Sequence, residues 1–183
     1  LRAPNNPMLV ACWFAVMKAG GIAVATMPLL RAKELRQVIA KGHVTHALCD
    51  ARLIDELRAA MRDEPVLTEV RSFYDDSAQG LEAAMARHSD QFDNVDTAAV
   101  DTCILAFTSG TTGMGKAVLH SHGNLLWAAT IGPVNTFFTS QDMFLTYMPL
   151  FHVNAQMWAT AIVLGVGGSM VLLPKVSVSR YWS

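Results

Sequence analysis

Charged side chains are scarce in this 183-residue sequence, and it contains no run of positive charge. They make up 16% of the chain, and 14 Lys and Arg against 15 Asp and Glu leave a formal net charge of −1. Proteins that bind nucleic acid neutralise several phosphates with basic stripes, so nucleic acid is excluded as an expected partner. Hydrophobic residues make up 52% of the chain, which excludes disorder and suits a sheet buried on both faces.

Cysteine is also rare. Cys12, Cys49 and Cys103 are odd in number, far apart and set among apolar neighbours. This pattern predicts buried, reduced thiols in a cytoplasmic protein and disfavours a catalytic thiol. No signal peptide is visible, and both ends fall in the middle of a pattern, so we expect the chain to be part of a longer protein.

Neither of the two long apolar stretches predicts a membrane span. Residues 8–17 are too short to cross a bilayer. Residues 153–174 are uncharged and long enough, but Asn154 and Gln156 open the stretch and "GVGGS" interrupts it. A buried helix, a glycine turn and a strand explain this second stretch better.

Short apolar segments alternate with segments of helical periodicity. Asn6 and Pro7 predict the start of a helix that Gly20 and Gly21 end. Further helices are predicted at 31–42, 51–63 and 80–88, and strands at 22–26, 46–50, 66–73 and 102–107. Gly42, the last residue of the stretch 31–42, should lie just past the end of the second helix. The alternation predicts an α/β fold of layered βαβ units with a mainly parallel sheet, which would bind small molecules at the carboxyl ends of its strands.

The stretch from Thr108 to Lys116 directly follows one of these strands and holds four hydroxyls, three glycines and a lysine. Glycines let backbone N–H groups approach an anion, hydroxyls donate further hydrogen bonds, and lysine adds a positive charge. This composition predicts a phosphate-binding loop, with a plain connecting loop as the alternative. The spacing also fits the GxxxxGK pattern of nucleotide hydrolases, but Ala117 replaces the residue that would hold magnesium. The segment that follows predicts a strand and a turn where that pattern needs a helix.

Three segments, in order, resemble the adenylate-forming superfamily, which includes acyl-CoA synthetases, luciferases and adenylation domains of peptide synthetases. They are "MKAGGIAVATMPLLRAKEL" at 17–35, "FTSGTTGMGKAVLHSHGN" at 107–124 and "TYMPLFHVNAQMWA" at 146–159. The chain departs from the family at Gly115, where proline is usual, and at Ala117, where glycine is usual. Neither change removes a hydrogen-bond donor, although Gly115 loosens the loop.

The resemblance implies an enzyme that reacts a carboxylate with ATP to give an acyl-adenylate and pyrophosphate, and then transfers the acyl group to coenzyme A. Mg²⁺ should arrive with ATP, since no all-protein metal cage is evident. His152 is implied to lie near the acyl phosphate as the candidate catalytic residue, with Phe151 and Asn154 beside the acid. The implied phosphate cradle consists of Thr108, Ser109, Gly110, Thr111, Thr112, Gly113 and Lys116. The chain would be part of the large N-terminal domain, with the C-terminal domain and its lysine absent from these residues.

Alternatives remain open for the function. An adenylation domain that loads a carrier protein would share the loop, and a catalytically silent nucleotide-binding or interaction module would share the fold. His120 and His122 could lie on one strand face, but no third ligand supports a zinc site. Ser109 lacks the GxSxG setting of a serine hydrolase.

Two finer interpretations also depend on the resemblance. Asn124 is interpreted as the cap of the next helix. The segment around His152 is loosely similar to ligases for crotonobetaine and carnitine, and the loop region to benzoate-type ligases. A modest carboxylate is therefore favoured over a long fatty acid.

Overall fold

The computed structural model describes residues 1–108, 115–175, 177 and 179. Its helices are α1 (Pro7–Lys18), α2 (Ala32–Gly42), α3 (Ile54–Asp63), α4 (Leu81–Met85), α5 (His122–Thr136) and α6 (Ile162–Gly165). A 3₁₀ turn, Ala51–Leu53, precedes α3, and a π-helical segment, Ala155–Ala161, precedes α6. Its strands are β1 (His46–Asp50), β2 (Glu69–Phe73), β3 (Thr102–Phe107), β4 (Ala117–Ser121), β5 (Met143–Thr146) and β6 (Ser169–Leu172). This order confirms the predicted α/β fold.

These strands form three two-stranded sheets. β1 pairs with β2 and β5 with β6, both in parallel, whereas β3 and β4 are antiparallel. The prediction of mainly parallel pairing is therefore confirmed. The antiparallel pair is the one on either side of the predicted phosphate loop, so this loop connects the two strands of a hairpin.

The strand predicted at 22–26 is wrong as a regular strand, because this segment makes only isolated bridges. Ala23 bridges Ile104 of β3, and Thr26 bridges Arg2. Arg2 in turn bridges Cys49 of β1. Each of the two bridging residues of the segment pairs with a different neighbour, so no continuous ladder forms. The bridges nevertheless connect the β1–β2 and β3–β4 sheets through two short extended segments.

Local signals set the limits of the first two helices. The Asn6 side chain accepts a 2.8 Å hydrogen bond from the Leu9 N–H, and Gly20 beyond α1 has a φ of 73°, as predicted. The prediction that Gly42 lies past the end of α2 is wrong by one residue. Gly42 is helical, and His43 takes the left-handed conformation with a φ of 48°.

α5 begins earlier than predicted, and the assignment of Asn124 as its cap is wrong. The cap is Ser121, whose backbone is still extended at the end of β4. Its hydroxyl accepts a 3.2 Å bond from the Asn124 N–H, while the Asn124 side chain accepts a 3.1 Å bond from the Ser121 N–H. This reciprocal capping box places Asn124 in the first turn. His120 therefore lies in β4 and His122 in α5, so they do not share a strand face.

Two predicted elements are shorter than expected, and the final apolar stretch has the expected order. The strand predicted at 66–73 begins at Glu69, and the helix predicted at 80–88 covers only Leu81–Met85. Residues 153–174 form a helical segment, a turn at Gly167 and then β6. None of the helices in the described ranges is long and apolar enough to cross a membrane.

The described residues form three core clusters, and α1 contributes to two of them. Trp13 packs with Cys103 and Met157, and Cys12 packs with Phe73 and Leu150. The third cluster joins one face of α2 to α3 and β1, and its members are Leu35, Ile39, Ala47, Cys49, Ile54, Leu57, Ala60 and Leu67. All three cysteines are buried and free, which confirms the prediction of buried thiols. α1 therefore links the sheets to the segment that carries His152.

Candidate functional site

A cleft of about 400 Å³ lies where the three family-like segments meet. The first segment contributes residues 25–27, Leu30 and Glu34, and the second contributes Phe107, Thr108 and Gly115. The third contributes Phe151 and His152, and α2 adds Gln37 and Val38. A larger groove of about 760 Å³ lies at residues 19–24 and 42–46, and none of the predicted site residues lines it. The smaller cleft is therefore the candidate site.

Thr108 and Lys116 form the base of the predicted phosphate loop. The Thr108 N–H donates to the Lys116 carbonyl over 2.9 Å, and the Lys116 N–H donates to the Thr108 hydroxyl over 3.1 Å. The first bond continues the backbone pairing beyond the Phe107–Ala117 pair, and the second joins the Thr108 side chain to the opposite backbone. The hairpin therefore fixes both ends of the loop. Thr108 and Gly115 line the cleft, while Lys116 is exposed and outside its lining.

The other five residues of the predicted cradle belong to the middle of the loop. Ser109, Gly110, Thr111, Thr112 and Gly113 lie outside the described residues. What the structure does describe after the loop is the strand β4, which starts at Ala117. A nucleotide hydrolase of the GxxxxGK type would have a helix N-terminus at this point, so the local geometry disagrees with that alternative.

Phe151 and His152 lie on a turn between β5 and the π-helical segment. The His152 N–H donates to the Pro149 carbonyl over 3.0 Å, and the His152 carbonyl accepts from the Gln156 N–H over 3.2 Å. The two rings lie 4.3 Å apart between centroids at 43°. Phe151 is half-buried and His152 exposed, as expected for a histidine that faces a cleft. Asn154 is also exposed but is not part of the cleft lining.

Asn5 fixes this turn, and sequence reasoning missed it. Its side-chain amide donates to the carbonyls of Met148 over 2.9 Å and Leu173 over 3.1 Å, and its oxygen accepts from the Leu150 N–H over 2.7 Å. Gln156 donates to the Leu150 carbonyl over 2.9 Å. Asn5 is 7% exposed. The backbone directly before Phe151 is therefore held from two directions.

Arg2 holds the opposite wall of the cleft, and it too was missed. Its guanidinium donates to the carbonyls of Met27 (3.1 Å), Pro28 (2.8 Å) and Leu30 (2.8 Å), and to Leu53 of the 3₁₀ turn over 3.3 Å. Burial lowers the pKa of Arg2 from its ordinary value, because the charged form loses hydration. Four backbone carbonyls share the charge, so the guanidinium stabilises a segment that has no regular structure of its own.

No signal in the sequence could have identified Asn5 or Arg2. The partners of their side chains are 25 to 168 residues away in the sequence. Asn5 lies next to the true cap, Asn6, so its local context suggests a helix start rather than a distant contact. The described part of the chain contains no group of three or more His, Cys, Asp or Glu side chains placed to hold a metal ion.

The sequence matches the AMP-binding enzyme family over residues 1–182, so the chain belongs to this family. Among curated relatives, the crotonobetaine/carnitine–CoA ligase of Salmonella typhi is 27% identical over 189 residues, which cover 100% of this chain and 37% of the relative. The chain thus spans about 37% of the length of that relative. The match confirms the resemblance to adenylate-forming enzymes that the three sequence segments indicated.

Solved structures agree with this assignment. ATP-bound MatB from Rhodopseudomonas palustris superposes with a TM-score of 0.86 at 26% identity, over 98% of this chain and 36% of that protein. The anthranilate–CoA ligase AuaEII in complex with anthranoyl-AMP has a TM-score of 0.88 at 20% identity, over 95% of this chain and 34% of that protein. At this identity the second likeness concerns the fold alone. The fold corresponds to part of the N-terminal domain of adenylate-forming enzymes.

Proposed function

We propose that the chain is part of the N-terminal domain of an ATP-dependent acid–thiol ligase, which forms an acyl-adenylate and then a coenzyme A thioester. The convergence of three family-like segments on one cleft carries this proposal. These segments are separated by up to about a hundred residues in the sequence, yet each contributes wall residues to the same 400 Å³ space. The CoA ligases among the relatives and the ATP-bound neighbour support the same chemistry.

The chemical problem is the approach of two anions. A carboxylate must attack the α-phosphate of ATP, and pyrophosphate must leave with its charge stabilised. We assign the phosphate end to the hairpin loop, whose Thr108 hydroxyl and Lys116 ammonium supply donors and charge. The cradle would include Ser109, Gly110, Thr111, Thr112 and Gly113. Mg²⁺ would enter bound to the ATP phosphates and neutralise part of their charge.

The acid would lie toward Phe151 and His152. The exposed imidazole can donate a hydrogen bond to a carboxylate or acyl phosphate oxygen, while the Phe151 ring provides an apolar wall. Asn154, two residues further along and outside the lining of the cleft, is the third proposed contact. The named curated relatives favour a modest carboxylate over a long fatty acid. Coenzyme A is the proposed acceptor of the acyl group.

The test uses the protein encoded by the complete open reading frame. Purified protein is incubated with ATP, Mg²⁺, coenzyme A and a panel of carboxylates, and pyrophosphate, AMP and free thiol are measured. We expect pyrophosphate release that depends on the acid and equimolar loss of thiol. Orthophosphate release without an acid would identify a nucleotide hydrolase, and nucleotide binding without turnover would identify a silent module.

The same assay of the purified 183-residue chain tests whether essential groups lie in a further domain. Holding two reactants in line lowers the barrier of such reactions by several kcal/mol. An incomplete site cannot hold both reactants in this way. We therefore expect no thioester synthesis from this chain alone. Turnover by the purified 183-residue chain would contradict the proposal that essential groups lie in a further domain.

A further inference from the structure

Lys41 contacts the predicted phosphate loop from outside the hairpin. Its ammonium donates a 2.7 Å hydrogen bond to the carbonyl of Gly115, 74 residues along the chain. Lys41 is exposed and lies in the last turn of α2. A positive charge is favourable at that end of a helix, so the side chain stabilises its own helix while it reaches the loop.

The base of this side chain is rigid. The next residue, Gly42, lies so close to β3 that an added Cβ would be 3.3 Å from the Leu105 side chain and 3.7 Å from the Phe107 ring. On the opposite side of α2, Leu35 and Ile39 are buried in the core. The C-terminal end of α2 therefore has a fixed position relative to the strand that enters the loop.

The acceptor of this hydrogen bond, Gly115, adjoins both the cleft and the loop lysine. Gly115 lines the cleft and directly precedes Lys116, whose backbone is bonded to Thr108 on both sides. Glycine has no side chain to restrict its own φ and ψ, so its conformation must be fixed by its neighbours. The only side-chain hydrogen bond that Gly115 receives from the described residues comes from Lys41.

We propose that Lys41 is a positioning residue: its bond to the Gly115 carbonyl fixes the backbone that presents Lys116 to the ATP phosphates. This role rests on the proposed function of the loop. The competing role for Lys41 is electrostatic, in which its charge acts directly on the nucleotide. The two roles make different predictions for a residue with a more restricted backbone at position 115. In the positioning role such a residue compensates for the loss of Lys41, and in the electrostatic role it does not.

The first test measures the loop without relying on activity. Backbone amide exchange at Lys116 and Ala117 is compared between the wild-type complete protein, Lys41→Met and the matched control Lys33→Met. Lys33 is exposed on the same helix, and its side chain makes no hydrogen bond to another described residue. We expect exchange about two- to fivefold faster in Lys41→Met alone, at an unchanged melting temperature. Equal exchange in the two variants would overturn the proposal.

The second test measures ATP use. We expect kcat/KM for ATP to fall about two- to fivefold in Lys41→Met, with Lys41→Arg close to wild type because arginine can also donate to the carbonyl. Gly115→Pro should restore most of this loss in the Lys41→Met background, since proline restricts φ. A loss that Gly115→Pro does not restore would assign Lys41 to the electrostatic role. An inactive wild-type protein would contradict the proposed function, and the exchange test would still decide the role of Lys41.

Discussion

The side-chain oxygen of Asn5 accepts a 2.7 Å hydrogen bond from the backbone N–H of Leu150, across 145 residues of sequence. The same side chain donates to two carbonyls of the turn and of the segment after β6. One buried amide thereby connects the start of the chain to the turn that carries Phe151 and His152. This arrangement makes the position of the candidate catalytic histidine depend on a residue far from it in sequence.

Asn5→Ala should therefore destabilise the protein by about 1 to 3 kcal/mol, because buried donors and acceptors lose their partner. Urea denaturation measures the change, and Asn154→Ala, at an exposed asparagine, is the control. An Asn5→Ala midpoint equal to that of the control would show that the three bonds contribute nothing to stability.

Lys116→Ala should weaken adenylation by about 1.5 to 3 kcal/mol, or roughly ten- to a hundredfold, because a charge-assisted phosphate contact is lost. The fold should be retained, since the Lys116 side chain is exposed. Acid-dependent pyrophosphate exchange by the complete protein is the measurement, with Lys33→Ala as control. Unchanged exchange in a folded Lys116→Ala protein would make the phosphate-loop assignment wrong.

His152→Ala should change the apparent affinity for the acid or for ATP more than it changes stability, because the side chain is exposed at the cleft. Steady-state kinetics and the melting temperature are measured together. His88→Ala, at an exposed position outside the cleft lining, should leave both unchanged. A large loss of melting temperature with normal kinetics would instead indicate a structural histidine.

Alkaline pH should destabilise the fold through its buried thiols. Burial raises the pKa of Cys12 and of Cys49 from an ordinary value of 9.0 to about 11, because the thiolate would lose hydration. Between these values the unfolded chain releases protons that the folded chain keeps, so stability is fully present below about pH 9 and is lost as the pH rises toward 11.

Urea midpoints at pH 8 and pH 10.5 measure this effect. The control is the double variant Cys12→Ala, Cys49→Ala, in which the decrease should be smaller although the starting stability is lower. An equal decrease in both proteins would assign the alkaline sensitivity to other groups. Alkylation of the native protein at pH 8 should also be slow, since thiolates are the reactive species.

The amino-acid sequence by itself determined the features that depend on neighbouring residues. Asn6 and Pro7 start α1 through contacts within one turn, and the apolar run 102–107 is β3 as predicted. The composition of the loop after β3 predicts phosphate binding, and three ordered segments were enough to indicate the family. Such signals are readable because a cap, a periodic face or a glycine-rich turn needs only adjacent atoms.

Tertiary structure decided what depends on distant partners. The segment 22–26 has the composition of a strand, but its pairing depends on which backbones lie beside it, and each supplies only one bridge. Ser121 rather than Asn124 caps α5, because β4 keeps the chain extended up to that residue. Asn5, Arg2 and Lys41 gain their roles only when the folded chain brings carbonyls and N–H groups to them. Hydrogen bonds act over about 3 Å, so residues far apart in sequence acquire such contacts only through the packing of the whole chain.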